Sequence, residues 1–122
     1  MKILGIDDEQ DMLELLNVFL TSEGHEYVGV LSGQEGLKKI NDEIFDLVIL
    51  DLAMPDFSGV DVIDTLIEDG LMGKQKVVIF TASSATEKEY APLLEKGVYS
   101  VLKKPLDMDI LSGIIKKIES GN

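Results

Sequence analysis

The stretch LVILDLAMPDFSGVD, residues 47 to 61, decides the fold because a buried strand and a sharp turn meet in it. Its first four residues are apolar, which is typical of a strand covered on both faces in a parallel sheet. The run ends in a carboxylate, Asp51, and Pro55 and Gly59 then favour a loop. A charged group at the end of a buried strand is unusual, and the residues that follow the other strands explain its presence.

Short apolar runs rich in β-branched residues alternate along the chain with segments of helical period. Strands are predicted at residues 2–6, 27–31, 45–50, 77–80 and 98–102. The firmest helix signal between them is the apolar spacing of Met12, Leu16 and Leu20. Successive βα units joined by right-handed crossovers predict an α/β protein, a doubly wound parallel five-stranded sheet with helices on both faces.

Helix boundaries carry their own signals. Ser32 and Thr86 are each followed three residues later by Glu, the spacing of a capping box, and Ser58 can cap the third helix. Pro92 lies inside the fourth helical pattern, where a proline removes a hydrogen bond and clashes with the preceding turn. We therefore expect this helix to be broken, or to begin at Pro92. Glycines mark the expected helix ends: Gly24, Gly70 and Gly97.

Length and composition restrict the class of protein. The 122 residues fit one domain, residues 1–122, and the absence of cysteine excludes a disulfide framework. The net charge of −12 disfavours nucleic acid and anionic membrane as direct partners. No apolar stretch has the length of a membrane span, so the expected location is cytoplasmic.

Acidic residues follow two strands that are expected to be neighbours. Asp7 and Asp8 come after the first strand, and Asp51 comes after the third. Ligands of open α/β sheets bind beyond the carboxyl ends of the strands, so these side chains should converge at a binding edge. Carboxylates this close repel one another, and a hard cation such as Mg²⁺ relieves the repulsion.

The fourth and fifth strands add a hydroxyl and a cation to the same edge. Thr81 and Ala82 follow the fourth strand, and Lys104 and Pro105 follow the fifth. Taken singly, each residue has an ordinary explanation, because Asp caps helices, Thr favours strands and Lys is usually solvated. Their common position at one edge is what points to a site that binds phosphate oxygens.

Taken together, these motifs resemble the receiver domains of two-component response regulators, over essentially the whole chain. The resemblance implies the flavodoxin-like strand order 2-1-3-4-5. It rests on an acidic pair, the motif D-x-x-M-P-x-x-x-G, a Thr before a small residue and a Lys-Pro pair, at Asp7, Asp8, Asp51, Met54, Pro55, Gly59, Thr81, Ala82, Lys104 and Pro105.

The resemblance assigns the phosphoryl chemistry. Asp51 is expected to be the phosphorylation site and to receive its phosphoryl group from the phosphohistidine of a sensor histidine kinase or phosphotransfer protein. Asp51, Thr81 and Lys104 are then the catalytic residues, and Thr81, Ala82 and Lys104 bind the phosphoryl oxygens. Such a domain is not an enzyme on other substrates, because it catalyses only its own phosphorylation and dephosphorylation.

The resemblance also assigns the metal. Mg²⁺ is expected at Asp8, Asp51 and the backbone carbonyl of Ala53, with Asp7 acting largely through water. A cis peptide bond is implied before Pro105.

Output is expected through the face made by the fourth helix, fifth strand and fifth helix. This face would bind a downstream protein or the chain's own output domain, although no output region follows Asn122 here. Receivers usually carry an aromatic residue three positions before the lysine of the fifth strand, and this chain has Val101 there. Tyr99 is the nearest aromatic, and strand alternation would put both on one face.

Other functions remain open at this point. A pseudo-receiver would bind partners without phosphorylation. A haloacid-dehalogenase-like phosphatase needs a second Asp as general acid two residues after the nucleophile, where Ala53 stands. A flavin-binding module needs a phosphate loop after the first strand, where Asp7, Asp8 and Glu9 would repel phosphate.

Overall fold

The computed structural model describes residues 1–121 and contains five parallel strands that alternate with five helices. The strands are β1 (Lys2–Ile6), β2 (Glu26–Val30), β3 (Leu47–Asp51), β4 (Lys76–Thr81) and β5 (Ser100–Lys103). The helices are α1 (Gln10–Ser22), α2 (Gly33–Asp42), α3 (Gly59–Glu68), α4 (Glu87–Glu95) and α5 (Met108–Glu119), with a short 3₁₀ turn at Met72–Lys74. The sheet order is β2-β1-β3-β4-β5, which confirms the predicted fold.

Strand β3 lies at the centre of the sheet, and all five of its residues are buried. Its side chains alternate between two hydrophobic cores, one on each face of the sheet. Val48 and Leu50 pack with residues of α2, α3 and α4, whereas Leu47 and Ile49 pack with residues of α1 and α5. Burial on both faces explains the unbroken apolar run in the sequence. Within residues 1–121, no helix is long and apolar enough to cross a lipid bilayer.

The first strand has the predicted bounds, and the bounds of the other four differ from the predicted ones by one or two residues. The central strand begins at Leu47, not at residue 45, and it includes Asp51, which pairs with Phe80. Phe45 is buried at 2% exposure, but it precedes the strand. An apolar run indicates which residues are buried, and burial continues beyond the hydrogen-bonded part of the strand. The run therefore predicts a start for this strand that is too early.

Two of the three predicted helix caps form. The Ser32 hydroxyl accepts a hydrogen bond from the Glu35 N–H at 3.2 Å and donates to the Glu35 carboxylate at 3.3 Å, so the cap forms without the return bond of the predicted capping box. Ser58 and Asp61 form a reciprocal capping box, in which the Asp61 carboxylate also accepts from the Ser58 N–H at 2.9 Å. The Thr86 hydroxyl makes no capping bond to the backbone, so the capping box predicted there is wrong. The expected helix-ending glycines all have positive φ, at 90°, 71° and 110° for Gly24, Gly70 and Gly97.

The prediction that α4 would break at Pro92 is wrong, because the helix runs without interruption from Glu87 to Glu95. The N–H of Lys96 donates to the carbonyl of Pro92 at 3.2 Å, so the helical pattern continues beyond the proline. A proline inside a helix costs about 3 kcal/mol. Burial of Leu93, together with the packing of Tyr90 on the same core, is of comparable size at about 1.5–3 kcal/mol per large side chain.

The expectation that Tyr99 and Val101 share one face is also wrong. Tyr99 packs against the core beneath α1 and α5, and Val101 packs against the opposite core. Strand β5 begins only at Ser100, so Tyr99 precedes the regular pleat. The Tyr99 N–H donates to the Val77 carbonyl at 2.7 Å before the ladder starts. Alternation therefore does not extend back to this residue.

Gly59 permits a close approach between α3 and the end of the central strand. A Cβ at this position would lie 2.6 Å from the carbonyl oxygen of Asp51 and 2.8 Å from the Cα of Leu52. Both atoms belong to the backbone, so neither can rotate away. We expect Gly59→Ala to lower the free energy of unfolding by about 2 kcal/mol, measured by urea denaturation.

Gly73→Ala is the matched control, because nothing lies within 4 Å of a Cβ built there. If the two alanine variants lose equal stability, the close approach at Gly59 does not limit the fold.

Candidate acidic site at the carboxyl edge of the sheet

Two aspartates leave the sheet side by side because β1 and β3 are hydrogen-bonded neighbours. Ile6 pairs with Leu50 in the ladder, so Asp7 and Asp51 emerge at the same level. Both are 2% exposed, whereas Asp8 is exposed to solvent. One carboxylate oxygen from each of the three lies within 4.8 Å of the others. The structure thus brings together the three carboxylates predicted to converge.

Backbone N–H groups orient the two buried carboxylates. The Glu9 N–H donates to Asp7 Oδ1 at 2.9 Å, and the Ala53 N–H donates to Asp51 Oδ1 at 3.2 Å. Asp7 Oδ2 is buried and has no hydrogen-bond partner among the protein atoms of the described residues. An unpartnered buried oxygen among converging carboxylates suits a hard cation with oxygen ligands, such as Mg²⁺.

Burial dominates the electrostatics of the acidic pair. It raises the pKa of Asp7 to about 6, against the stabilising Glu9 N–H, and the nearby charge of Asp51 adds to the rise. Burial also raises the pKa of Asp51, although the Lys104 ammonium opposes this shift. Burial therefore disfavours the charged form of both carboxylates.

Lys104 supplies the positive charge at this edge. Its Nζ lies 3.4 Å from Asp51 Oδ1. The Lys104 N–H donates to the carbonyl of Thr81 at 2.9 Å, and the peptide bond to Pro105 is cis, as the resemblance implied. Burial acts to lower the pKa of Lys104, but the charges of Asp51 and Asp7 outweigh it, and the pKa is raised. The ammonium is therefore charged at neutral pH.

The remaining predicted residues lie at the same edge of the sheet. Thr81 is the last residue of β4, is 8% exposed, and pairs with Lys103. Ala82 and Ala53 are exposed in the loops after β4 and β3. The Ala82 carbonyl accepts the Ala85 N–H at 3.0 Å, which turns that loop away from the strand. Ala53 is bonded to the acidic cluster through its N–H, which donates to Asp51 Oδ1, whereas Thr81 and Ala82 border the cluster.

Glu9 has a contact that sequence reasoning missed. Its Oε1 lies 3.8 Å from Lys104 Nζ, so the ammonium faces carboxylates from two strand ends. The Glu9 side chain is 66% exposed, and an ion pair at this exposure contributes little stability. In the sequence, Glu9 directly follows the acidic pair, which places it near the site. No sequence pattern, however, predicts its contact with Lys104.

A groove of about 410 Å³ lies beside β5 on the face predicted to carry output. Val101 lies in its wall, and Tyr99 does not. Ile110 of α5 is 55% exposed at this groove, which leaves apolar surface there. The full lining is Tyr90, Val101, Leu102, Lys103, Pro105, Asp107 and Ile110.

A five-stranded doubly wound sheet with acids after β1 and β3 and a lysine after β5 defines a receiver-type domain. The family model described as response regulator receiver domain matches residues 3–116. The chain belongs to this family, as the resemblance predicted, and it is a receiver domain of two-component response regulators.

Curated relatives are longer than this chain. It is 38% identical over 111 residues to the transcriptional regulatory protein GlrR of Escherichia coli K12, covering 89% of this chain and 24% of the relative. It is 31% identical over 117 residues to the response regulator ArlR of Staphylococcus aureus Mu50, covering 96% and 52%. The chain thus spans about a quarter to a half of the relatives it matches.

Solved structures share the fold over nearly the whole chain. A two-component response regulator from Clostridium difficile is 25% identical with a TM-score of 0.87, covering 98% of this chain and 96% of the other. The response regulator TrrA from Thermotoga maritima, in complex with Mg(2+)-BeF, is 32% identical with a TM-score of 0.80, covering 96% and 97%.

Neutralising Asp7 should stabilise the metal-free protein at neutral pH. The pKa of Asp7 in the folded protein, about 6, lies above its value in the unfolded chain. The charge of Asp7 therefore lowers the free energy of unfolding above pH 6, and this loss disappears as the pH falls towards 4. We expect Asp7→Asn to raise the free energy of unfolding at pH 7 by on the order of 1–2 kcal/mol, measured by urea denaturation with EDTA.

At pH 4 the difference from wild type should close, and Mg²⁺ at pH 7 should stabilise wild type more than Asp7→Asn. Asp42→Asn, an exposed aspartate at the end of α2, is the control and should change little. A loss of stability in Asp7→Asn at pH 7 would show that the buried charge is already compensated.

Proposed function

We propose that the chain is a phosphoacceptor receiver whose Asp51 takes a phosphoryl group from a phosphohistidine. The donor is a sensor histidine kinase or a phosphotransfer protein. The observation that carries the proposal is the contact of Asp51, which is 2% exposed, with Lys104 at 3.4 Å inside a cluster of three carboxylates. This set combines a carboxylate nucleophile with a cation able to bind the transferred group.

In the transfer step an Asp51 carboxylate oxygen attacks phosphorus. The phosphorus–nitrogen bond to the donor histidine breaks, the nitrogen keeps the electron pair, and an acyl phosphate forms on Asp51. Such a reaction depends on positioning and on stabilisation of the phosphoryl oxygens more than on acid–base chemistry. The Ala53 N–H, 3.2 Å from Oδ1 of Asp51, supports this role because it limits rotation of the carboxylate.

Residues at the ends of β4 and β5 would hold the transferred group. The Lys104 ammonium pairs with one phosphoryl oxygen, and the Thr81 hydroxyl and Ala82 N–H donate hydrogen bonds to others. The link from the Lys104 N–H to the Thr81 carbonyl at 2.9 Å supports this division, because it fixes the two residues relative to each other.

Asp7, Asp8, Asp51 and the carbonyl of Ala53 would hold Mg²⁺, with Asp7 acting largely through water. When bound, the ion supplies positive charge that neutralises carboxylate and phosphoryl oxygens. The unpartnered Oδ2 of Asp7 supports a cation at this position. The family member TrrA, solved with Mg(2+)-BeF, supports the choice of magnesium.

Phosphorylation would switch the face formed by α4, β5 and α5. The groove there exposes Ile110 and adjoins Pro105, the residue after Lys104, which links the face to the site. The partner is a downstream protein or an output domain of the same polypeptide. The greater length of the curated relatives supports the second possibility.

Phosphorylation of Asp51 is tested directly by incubation with acetyl phosphate and Mg²⁺, followed by intact mass measurement. We expect one phosphoryl adduct on wild type and none on Asp51→Asn, because the amide cannot act as the nucleophile. Asp42→Asn is the matched control and should keep the adduct. A wild-type chain without adduct would favour a pseudo-receiver that binds partners without phosphate.

Lys104 is tested by the rate of the same reaction. Lys104→Gln removes the cation 3.4 Å from Asp51, and we expect the rate of adduct formation to fall about tenfold to a hundredfold. The control Lys38→Gln makes the same change in net charge at an exposed position of α2 and should keep the wild-type rate. Equal rates in the two variants would remove Lys104 from the mechanism.

A further inference from the structure

Glu9 is an acidic side chain beside the site that the proposed phosphoryl chemistry does not use. Its Oε1 lies 3.8 Å from Nζ of Lys104, the residue proposed to bind the transferred group. Oδ1 of Asp51 lies 3.4 Å from the same nitrogen, so the ammonium faces two carboxylates. Any anion that binds this ammonium therefore competes with Glu9 for it.

Glu9 occupies the N-cap position of α1 without capping the helix. Its backbone is extended, with φ −100° and ψ 112°, but among the described residues its side chain makes no capping hydrogen bond. Ser, Thr, Asp and Asn are the residues that cap helices well, and Ser58 and Asp107 do so at α3 and α5. The Glu9 side chain extends to Lys104 instead, so helix capping does not explain this residue.

Backbone hydrogen bonds anchor both partners of the ion pair. The Glu9 N–H donates to Oδ1 of Asp7 at 2.9 Å. The Lys104 N–H donates to the carbonyl of Thr81, also at 2.9 Å. Because β3 and β4 lie between β1 and β5 in the sheet, the pair crosses the carboxyl edge beside the end of β3. The two side chains thus meet next to Asp51, where a phosphoryl group would be attached.

The two side chains differ in their access to water. That of Lys104 is 28% exposed and lies beside the buried carboxylate of Asp51, whereas that of Glu9 is 66% exposed. An ion pair this exposed changes an equilibrium constant by about two- to fivefold. An effect of this size is too small to decide whether the protein folds, but it is large enough to change the measured affinity of the site for an anion.

We propose that Glu9 is a positioning residue that holds the Lys104 ammonium in the unphosphorylated protein and competes for it with a phosphoryl group on Asp51. The negative charge of Glu9 also repels such a group, so both effects have the same sign. Glu9 thus weakens the affinity of the site for phosphoryl-like anions. The inference rests on the proposed function, which assigns Lys104 to the transferred group.

Glu9→Gln tests the charge alone, because the size of the side chain is kept. We expect beryllofluoride, an analogue of the phosphoryl group, to bind this variant about two- to fivefold more tightly than wild type. The measurement is a titration of the intact chain at saturating Mg²⁺, followed by NMR. Tighter binding is a result that structural damage would not produce. Glu14→Gln, at an exposed position further along α1, is the matched control and should bind like wild type.

Carbon-13 labelling at lysine Cε reports on the contact itself, with the Lys104 resonance assigned from Lys104→Gln. Without beryllofluoride, Glu9→Gln should shift this resonance, because the ammonium loses one of its two carboxylate partners. With beryllofluoride bound, the difference between wild type and variant should become smaller, because the ammonium then faces the anion. Identical Lys104 resonances in the two free proteins would overturn the inference.

The binding results distinguish a failure of this inference from a failure of the proposed function. If wild type binds no beryllofluoride in the presence of Mg²⁺, both fail together. If wild type binds it and Glu9→Gln binds it equally or more weakly, only this inference fails. Equal tightening in Glu9→Gln and Glu14→Gln would also overturn the inference, because net charge and not the contact with Lys104 would then be responsible.

Discussion

Burial of two like charges side by side is the constraint on which the rest of this structure depends. Asp7 and Asp51 are each 2% exposed at the ends of adjacent strands, and burial raises the pKa of both. Parallel pairing of β1 with β3 forces them together, because both strands end at one edge. The ammonium of Lys104 and two backbone N–H groups oppose the repulsion, and Oδ2 of Asp7 has no protein partner. The crowding of these two carboxylates therefore opposes folding, as is common at functional sites.

Elements around the site act mainly by limiting movement. Gly59 lets α3 begin in contact with the backbone of Asp51, and the Ser58 cap fixes where that helix starts. On the other side, the carbonyl of Thr81 holds the N–H of Lys104, so the ends of β4 and β5 are tied together. The groove beside β5 adjoins this tie. Lys104 contacts Asp51 at 3.4 Å and is followed by Pro105, which lines the groove, so the acidic cluster and the groove adjoin each other.

Sequence reasoning failed where non-local packing outweighed a local rule. Pro92 disfavours a helix, yet α4 continues through it because Leu93 is buried in the core. Thr86 has the spacing of a capping box, but its hydroxyl makes no capping bond, whereas Ser58 forms an unforeseen box with Asp61. Strand alternation predicted the wrong face of the sheet for Tyr99, because alternation does not indicate at which residue β5 begins. Each error concerns a boundary or a face, and none concerns the existence of an element.

The order of strands and helices, and the chemical groups at each strand end, follow from the amino-acid sequence alone. They follow because apolar period and turn residues are local signals, and because parallel strands must present their ends at one edge. Tertiary structure alone decided the 3.4 Å contact of Lys104 with Asp51, the raised pKa of Asp7 and the contact of Glu9 with Lys104. The distances between side chains, their burial and the resulting pKa shifts depend on residues that are far apart in the chain. A short stretch of sequence therefore does not determine them.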